Sequence, residues 1–143
     1  MAKLGGQASY NQGAFVEKIT AAKTLTSGDS GKIFTIDASG GAYSISLPAA
    51  ADAGVGWNCR FILTTNGNII TISPPSTEDT LIGLISSAGD GGVGEDTNGA
   101  GVDELKFLAA GAAGDFAELI CDGSNFYVSG MQADANHMTI ASS

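Results

Sequence analysis

KIFTIDASGGAYSISLP, residues 32–48, carries two runs in which apolar and polar side chains take turns. Phe34 and Ile36 alternate with polar partners in the first run; Tyr43, Ile45 and Leu47 alternate with Ser44 and Ser46 in the second. A period of two sends successive side chains to opposite faces of a pleated strand, so each run has one face to bury. Ala38-Ser39-Gly40-Gly41 supplies turn residues between them, and Pro48, which has no N–H for a ladder, closes the second run. The spacing predicts a hairpin-like unit.

The same design returns downstream. CRFILTT (59–65) and NIITIS (68–73) flank Asn66-Gly67, and Pro74-Pro75 ends the pair. Asn-Gly between alternating apolar runs is the strongest short-range hairpin signal. The two units share a plan but too little identity to count as a repeat. Trp57, just ahead of the strand expected over 58–64, should close one end of the core. Further strands are expected over 81–85, 104–109, 116–121 and 126–129, with an edge strand at Met138-Thr139-Ile140. Residues 15–22 read as an extended lead-in and 49–54 as one helical turn. The 21 glycines, against roughly 7% in average usage, fit a chain of many turns and therefore many strands. The fold expected is all-β: a single-domain antiparallel β-sandwich or jelly-roll-like barrel over 15–143, with an extended N-terminal arm over 1–14.

Size and charge bound the partners. A chain of 143 residues can bury one genuine core. The net charge is −9 with only six Lys plus Arg, so no basic patch for nucleic acid or an anionic membrane can be built. Nothing approaches the ~18 apolar residues of a membrane span, and MAKLGGQASYNQG has no apolar run of signal-peptide length. A soluble protein without a visible leader is expected. Cys59 and Cys121 fall in phase with apolar neighbours and read as buried free thiols, since two cysteines in a chain this long are no disulfide framework.

Candidate chemistry is thin. Gly89, Gly91 and Gly94 match G-x-G-x-x-G, but turn residues follow where a helix must begin to meet a pyrophosphate. Residues 91–96 match the start of a calcium-binding repeat that works only in tandem. Asp90, Glu95 and Asp96 in the long stretch 86–101, and Asp103 just past it, therefore read as solvated acids rather than as oxygen ligands for Ca²⁺. His137, the one histidine, has no visible acid beside it to fix it, and one His with two separated Cys makes no zinc site. Asp115 and Glu118 point to opposite faces of their strand and cannot act across one bond. Tyr127 opposes Phe126 and Val128 and reads as a surface tyrosine. No enzymatic activity, cofactor or metal is expected.

The order TLTSGDSGKIFTIDASGGAYSISLP, then GWNCRFILTTNGNIITISPP, then DFAELICDGSNFYVSG resembles the small all-β capsid decoration (cement) proteins of tailed bacteriophages. The likeness covers residues 24–130 apart from 86–101. It implies a virion structural protein on the capsid exterior, a homotrimer seated at three-fold positions, with the major capsid protein as partner and no nucleic acid or membrane. It also implies that the N-terminal arm contacts the capsid, which makes Lys3, Leu4, Tyr10 and Phe15 the candidate contact residues. A receptor- or glycan-binding module of a tail or head fibre, using 86–101 and Tyr127, is the alternative.

Overall fold

A computed structural model of the chain describes residues 15–75, 80–89, 94–97 and 99–143. The arm with Lys3, Leu4 and Tyr10 lies outside the described residues, as does Asp90. Twelve strands follow in chain order: β1 (Val16–Ile19), β2 (Lys23–Thr24), β3 (Lys32–Asp37), β4 (Tyr43–Ser46), β5 (Val55–Thr65), β6 (Ile70–Ser73), β7 (Leu81–Ser87), β8 (Glu95–Asp96), β9 (Glu104–Phe107), β10 (Phe116–Asp122), β11 (Phe126–Gln132) and β12 (Met138–Ala141). They form a seven-stranded sheet, β1-β3-β5-β10-β11-β7-β8, and a five-stranded sheet, β12-β9-β6-β4-β2. One helical turn, Ala50–Ala53, leads into β5.

The all-β sandwich expected from the periodicity is present, but its sheets are mixed rather than antiparallel. β1, β3 and β5 run parallel in one sheet, and β2, β4 and β6 run parallel in the other. The units read as hairpins are not hairpins. β3 and β4 lie in different sheets, and so do β5 and β6, so each turn crosses the sandwich instead of folding back beside itself. The chain winds between the layers, and the second unit stacks on the first. Phe34 pairs with Phe61 and Ile36 with Leu63 in one layer, while Ile45 pairs with Ile72 in the other. Like aromatics thus meet: the Phe34 and Phe61 rings stack with centroids 5.5 Å apart. The turns stack too, because the Asn68 side chain donates to the Ala38 carbonyl at 2.7 Å and Ala38 N–H donates to Thr65 at 2.8 Å.

Past β6 the winding reverses. β9 pairs antiparallel with β6, and β10 with β5, before β11 and β12 add antiparallel to β10 and β9. The inward rows of both sheets form one buried cluster. Trp57 closes one end, as expected: it is buried, its ring meets Phe126 edge-on at 5.6 Å, and its Nε1–H donates to Thr26 at 3.1 Å. Both cysteines are buried free thiols. Gly83 is required where β7 meets β11, since a Cβ there would lie 1.9 Å from the Val128 carbonyl oxygen.

Phe61 is fully buried and stacked between windings, so Phe61→Ala should lower the unfolding free energy by about 3–5 kcal/mol. The check is the urea midpoint. A loss below about 1 kcal/mol would mean the stacked register is not what holds the windings together.

Candidate functional site

The described chain begins at Phe15, half-exposed, directly before the edge strand β1. The Phe15 ring lies 4.0 Å from where a side chain at Gly31 would start. β1 is VEKI, an edge whose charged side chains blunt strand addition, and those charges are all engaged. Glu17 pairs with Lys23 at 2.5 Å and Lys32 at 3.1 Å; Lys32 also pairs with Asp29 at 2.7 Å, and Lys18 with Asp37 at 2.9 Å. Asp29 closes the short 3-10 turn Ser27–Asp29 by accepting the Thr26 N–H at 2.9 Å. The hydrogen bond from Lys23 holds the Glu17 carboxyl below its ordinary 4.5. Burial pushes Asp29 up, yet Lys32 and the Thr26 N–H outweigh it and leave the carboxyl below 3.8. Lys32 is raised by Asp29, then by Glu17. This network fixes the place where the leading segment joins the body.

A second polar node sits inside the fold and overturns the expectation for His137. His137 Nδ1 lies 3.0 Å from Asp115 Oδ2, and the same carboxylate accepts Ala112 N–H and Ala133 N–H, each at 2.7 Å. Beside it, Gln132 Oε1 accepts His137 N–H at 3.1 Å and Met138 N–H at 2.7 Å. Asp115 and Gln132 are only 3% and 1% exposed. The acid stands 22 positions from the histidine, so the histidine's neighbours in sequence could not reveal it. One signal was available. Asp115 continues the inward phase of Ala117 and Leu119, and Gln132 that of Phe126 and Val128, which marks both as polar groups aimed at the core. Chemically the node is a clamp. It gives acceptors to the backbone of two turns, 108–115 and 133–137, and leaves the carboxylate with both oxygens in use.

The other expected residues fall apart from one another. Glu118 faces outward while Asp115 faces the core, as the period of two required. Glu95 lies in β8, which returns along β7, so part of the stretch 86–101 is a strand rather than a loop. Glu95 accepts from Thr139 Oγ1 at 3.3 Å, and Asp103 accepts the Ser143 N–H at 2.6 Å and hydroxyl at 2.7 Å. Among the described residues no three of His, Cys, Asp and Glu cluster to hold a metal ion. Tyr127 is a half-exposed strand tyrosine whose hydroxyl donates to Asp122 at 3.1 Å. Searches of protein-family models, of curated proteins and of solved structures each find no match to this chain.

Removing the buried acid strands three donors, so Asp115→Ala should cost about 3–5 kcal/mol of stability. His137→Ala should cost less, because two backbone donors keep their acceptor; an equal or larger loss in urea unfolding would refute the clamp. The edge network predicts a pH profile. Glu17 and Asp29 have folded values below their unfolded ones, so their stabilisation is present above pH ~4.5 and is lost as acid titrates through the folded values. Lys32 has the opposite sign: its contribution is complete below 10.5 and fades as pH rises through its folded value. Urea midpoints from pH 2 to 11 should therefore fall at both ends, and Glu17→Gln should flatten the acid limb. An unchanged limb would show that this cluster contributes nothing.

Proposed function

We propose that the protein is a virion structural component that seats on the outer surface of a tailed-phage capsid and stabilises the shell against expansion. The observation that supports this reading is the placement of the join. Phe15, the residue that follows 1–14 in sequence, is half-exposed and stands directly before the edge strand β1, whose charges are held in a fully engaged ion network. A rigid two-layer body with a leading segment at one edge has the parts of a clamp. Extended, fourteen residues reach about 45 Å, enough to pass onto a neighbouring shell subunit. Lys3, Leu4, Tyr10 and Phe15 carry the contact in this reading.

Three copies grouped at a three-fold position would hold the shell multivalently, since each later contact forms within one assembly. Binding only the assembled shell stabilises that state by mass action. The fibre-module alternative has no comparable support: Tyr127 already spends its hydroxyl on Asp122.

The test is co-sedimentation of the protein with purified capsids of its own phage, together with capsid heat resistance. The full chain should be retained and raise the temperature of shell opening, and deletion of residues 1–14 should cut retention about 10²-fold or more. Equal retention removes the segment from the mechanism. No association of the full chain ends the reading.

A further inference from the structure

The two outer faces of the sandwich differ in kind. The five-stranded sheet turns Ser44, Thr71, Lys106 and Thr139 outward in one register row, with Ser46 beside Ser73 in the next. That is an ordinary solvated face. The seven-stranded sheet instead turns out Ile62, Phe116 and Met131 in one row, and Ile120 beside Tyr127 in another. Ile120, Tyr127 and Met131, with Leu84, each leave about half their surface to solvent. Exposed apolar side chains thus flank the Arg60–Glu118–Ser129 row on both sides, and apolar groups gathered on one face in this way mark an interaction site.

The charges on this face say what covers it. Arg60 and Glu118 are register partners across the central β5–β10 pair; they pair with each other, and the Arg60 guanidinium lies 5.1 Å from the centroid of the Phe116 ring. The centre of the face is therefore balanced, while the chain as a whole carries −9. A two-fold axis parallel to the strands, between β5 and β10, lays β5 of one copy over β10 of another. Arg60 then faces Glu118 of the second copy, Glu118 faces its Arg60, and Ile62 faces its Phe116. The surface is complementary to itself, which an isologous contact requires and an unrelated partner does not. We propose that the outer face of the seven-stranded sheet pairs with the same face of a second copy about this two-fold axis. The pairing belongs to the free protein and does not rest on the capsid reading.

Sedimentation of the full chain without capsids tests it, using Arg60→Glu alone, Glu118→Arg alone and the two mixed. The unaltered chain should dimerise reversibly. Each single variant brings four like charges together and should weaken association at least ~10-fold. The equimolar mixture should restore a dimer holding one copy of each, because opposite charges then meet between copies while the broken pair within each chain stays broken. Thr71→Asp, on the other outer face, should change nothing. Circular dichroism establishes that every variant is folded. The proposal is overturned by a monomer throughout, by a dimer or trimer indifferent to these charges, or by a mixture that fails to re-associate. It is overturned equally if dimers appear only once residues 1–14 are removed, which would make the chain's own leading segment the occupant.

Discussion

Every part of the sandwich depends on two registers agreeing at once. Phe34 over Phe61 and Ile36 over Leu63 set one layer, and Ile45 over Ile72 sets the other. A slip by one residue in either layer would turn a whole row of core side chains to solvent. The layers cannot choose independently, because four- to five-residue turns join them across the core. Those turns are themselves in register through Asn68 on the Ala38 carbonyl, and the strands leading into them through Thr64 of β5 on the Ile36 carbonyl of β3. The stack is stiff because both layers and the turn side that joins them repeat the same alignment.

Stacked turns satisfy one another's backbone groups, and that accounting explains where the buried polar residues lie. Through the first six strands each winding has another beneath it to take its N–H and C=O groups. After β6 the direction reverses, and the turns at 108–115 and 133–137 no longer rest on a parallel predecessor. Their N–H groups still need acceptors, because an unpaired buried donor is costly. Asp115 and Gln132 supply them, to Ala112, Ala133, His137 and Met138. Local hydrogen bonds alone would leave that corner short. A carboxylate in the core is therefore the consequence of a change in winding direction.

This also marks what could be read in advance. The strand runs were legible because alternation reports burial of one face, and KIFTID begins and ends where β3 does. Their partners were not. A turn that folds a strand beside its neighbour and one that carries it across to another layer share the same local pattern: apolar alternation around Gly and Asn. What separates them is stacking between residues 27 apart, Phe34 with Phe61, which no single window contains. β2 and β8, two residues each, have no periodicity to detect and exist only through pairing. The setting of His137 is hidden from the sequence for the same reason: its partner is near in space and remote in sequence. The inward phase of Asp115 and Gln132 was visible, and it pointed at the clamp without naming what it clamps.

Edges and faces are handled in opposite ways, and that contrast carries functional weight. β1, an open parallel edge, holds Glu17 and Lys18 in ion pairs, which opposes the addition of a further strand. An unguarded edge on a stack of parallel windings would invite open-ended growth, each copy presenting the next with the same template. The seven-stranded sheet meanwhile leaves aliphatic and aromatic side chains on its outer face, where serine or threonine would satisfy the same strand geometry, as they do on the opposite sheet. Burying that face on a surface of matching shape closes the association after one contact. Guarded edges with an open face therefore favour a finite assembly over a fibre.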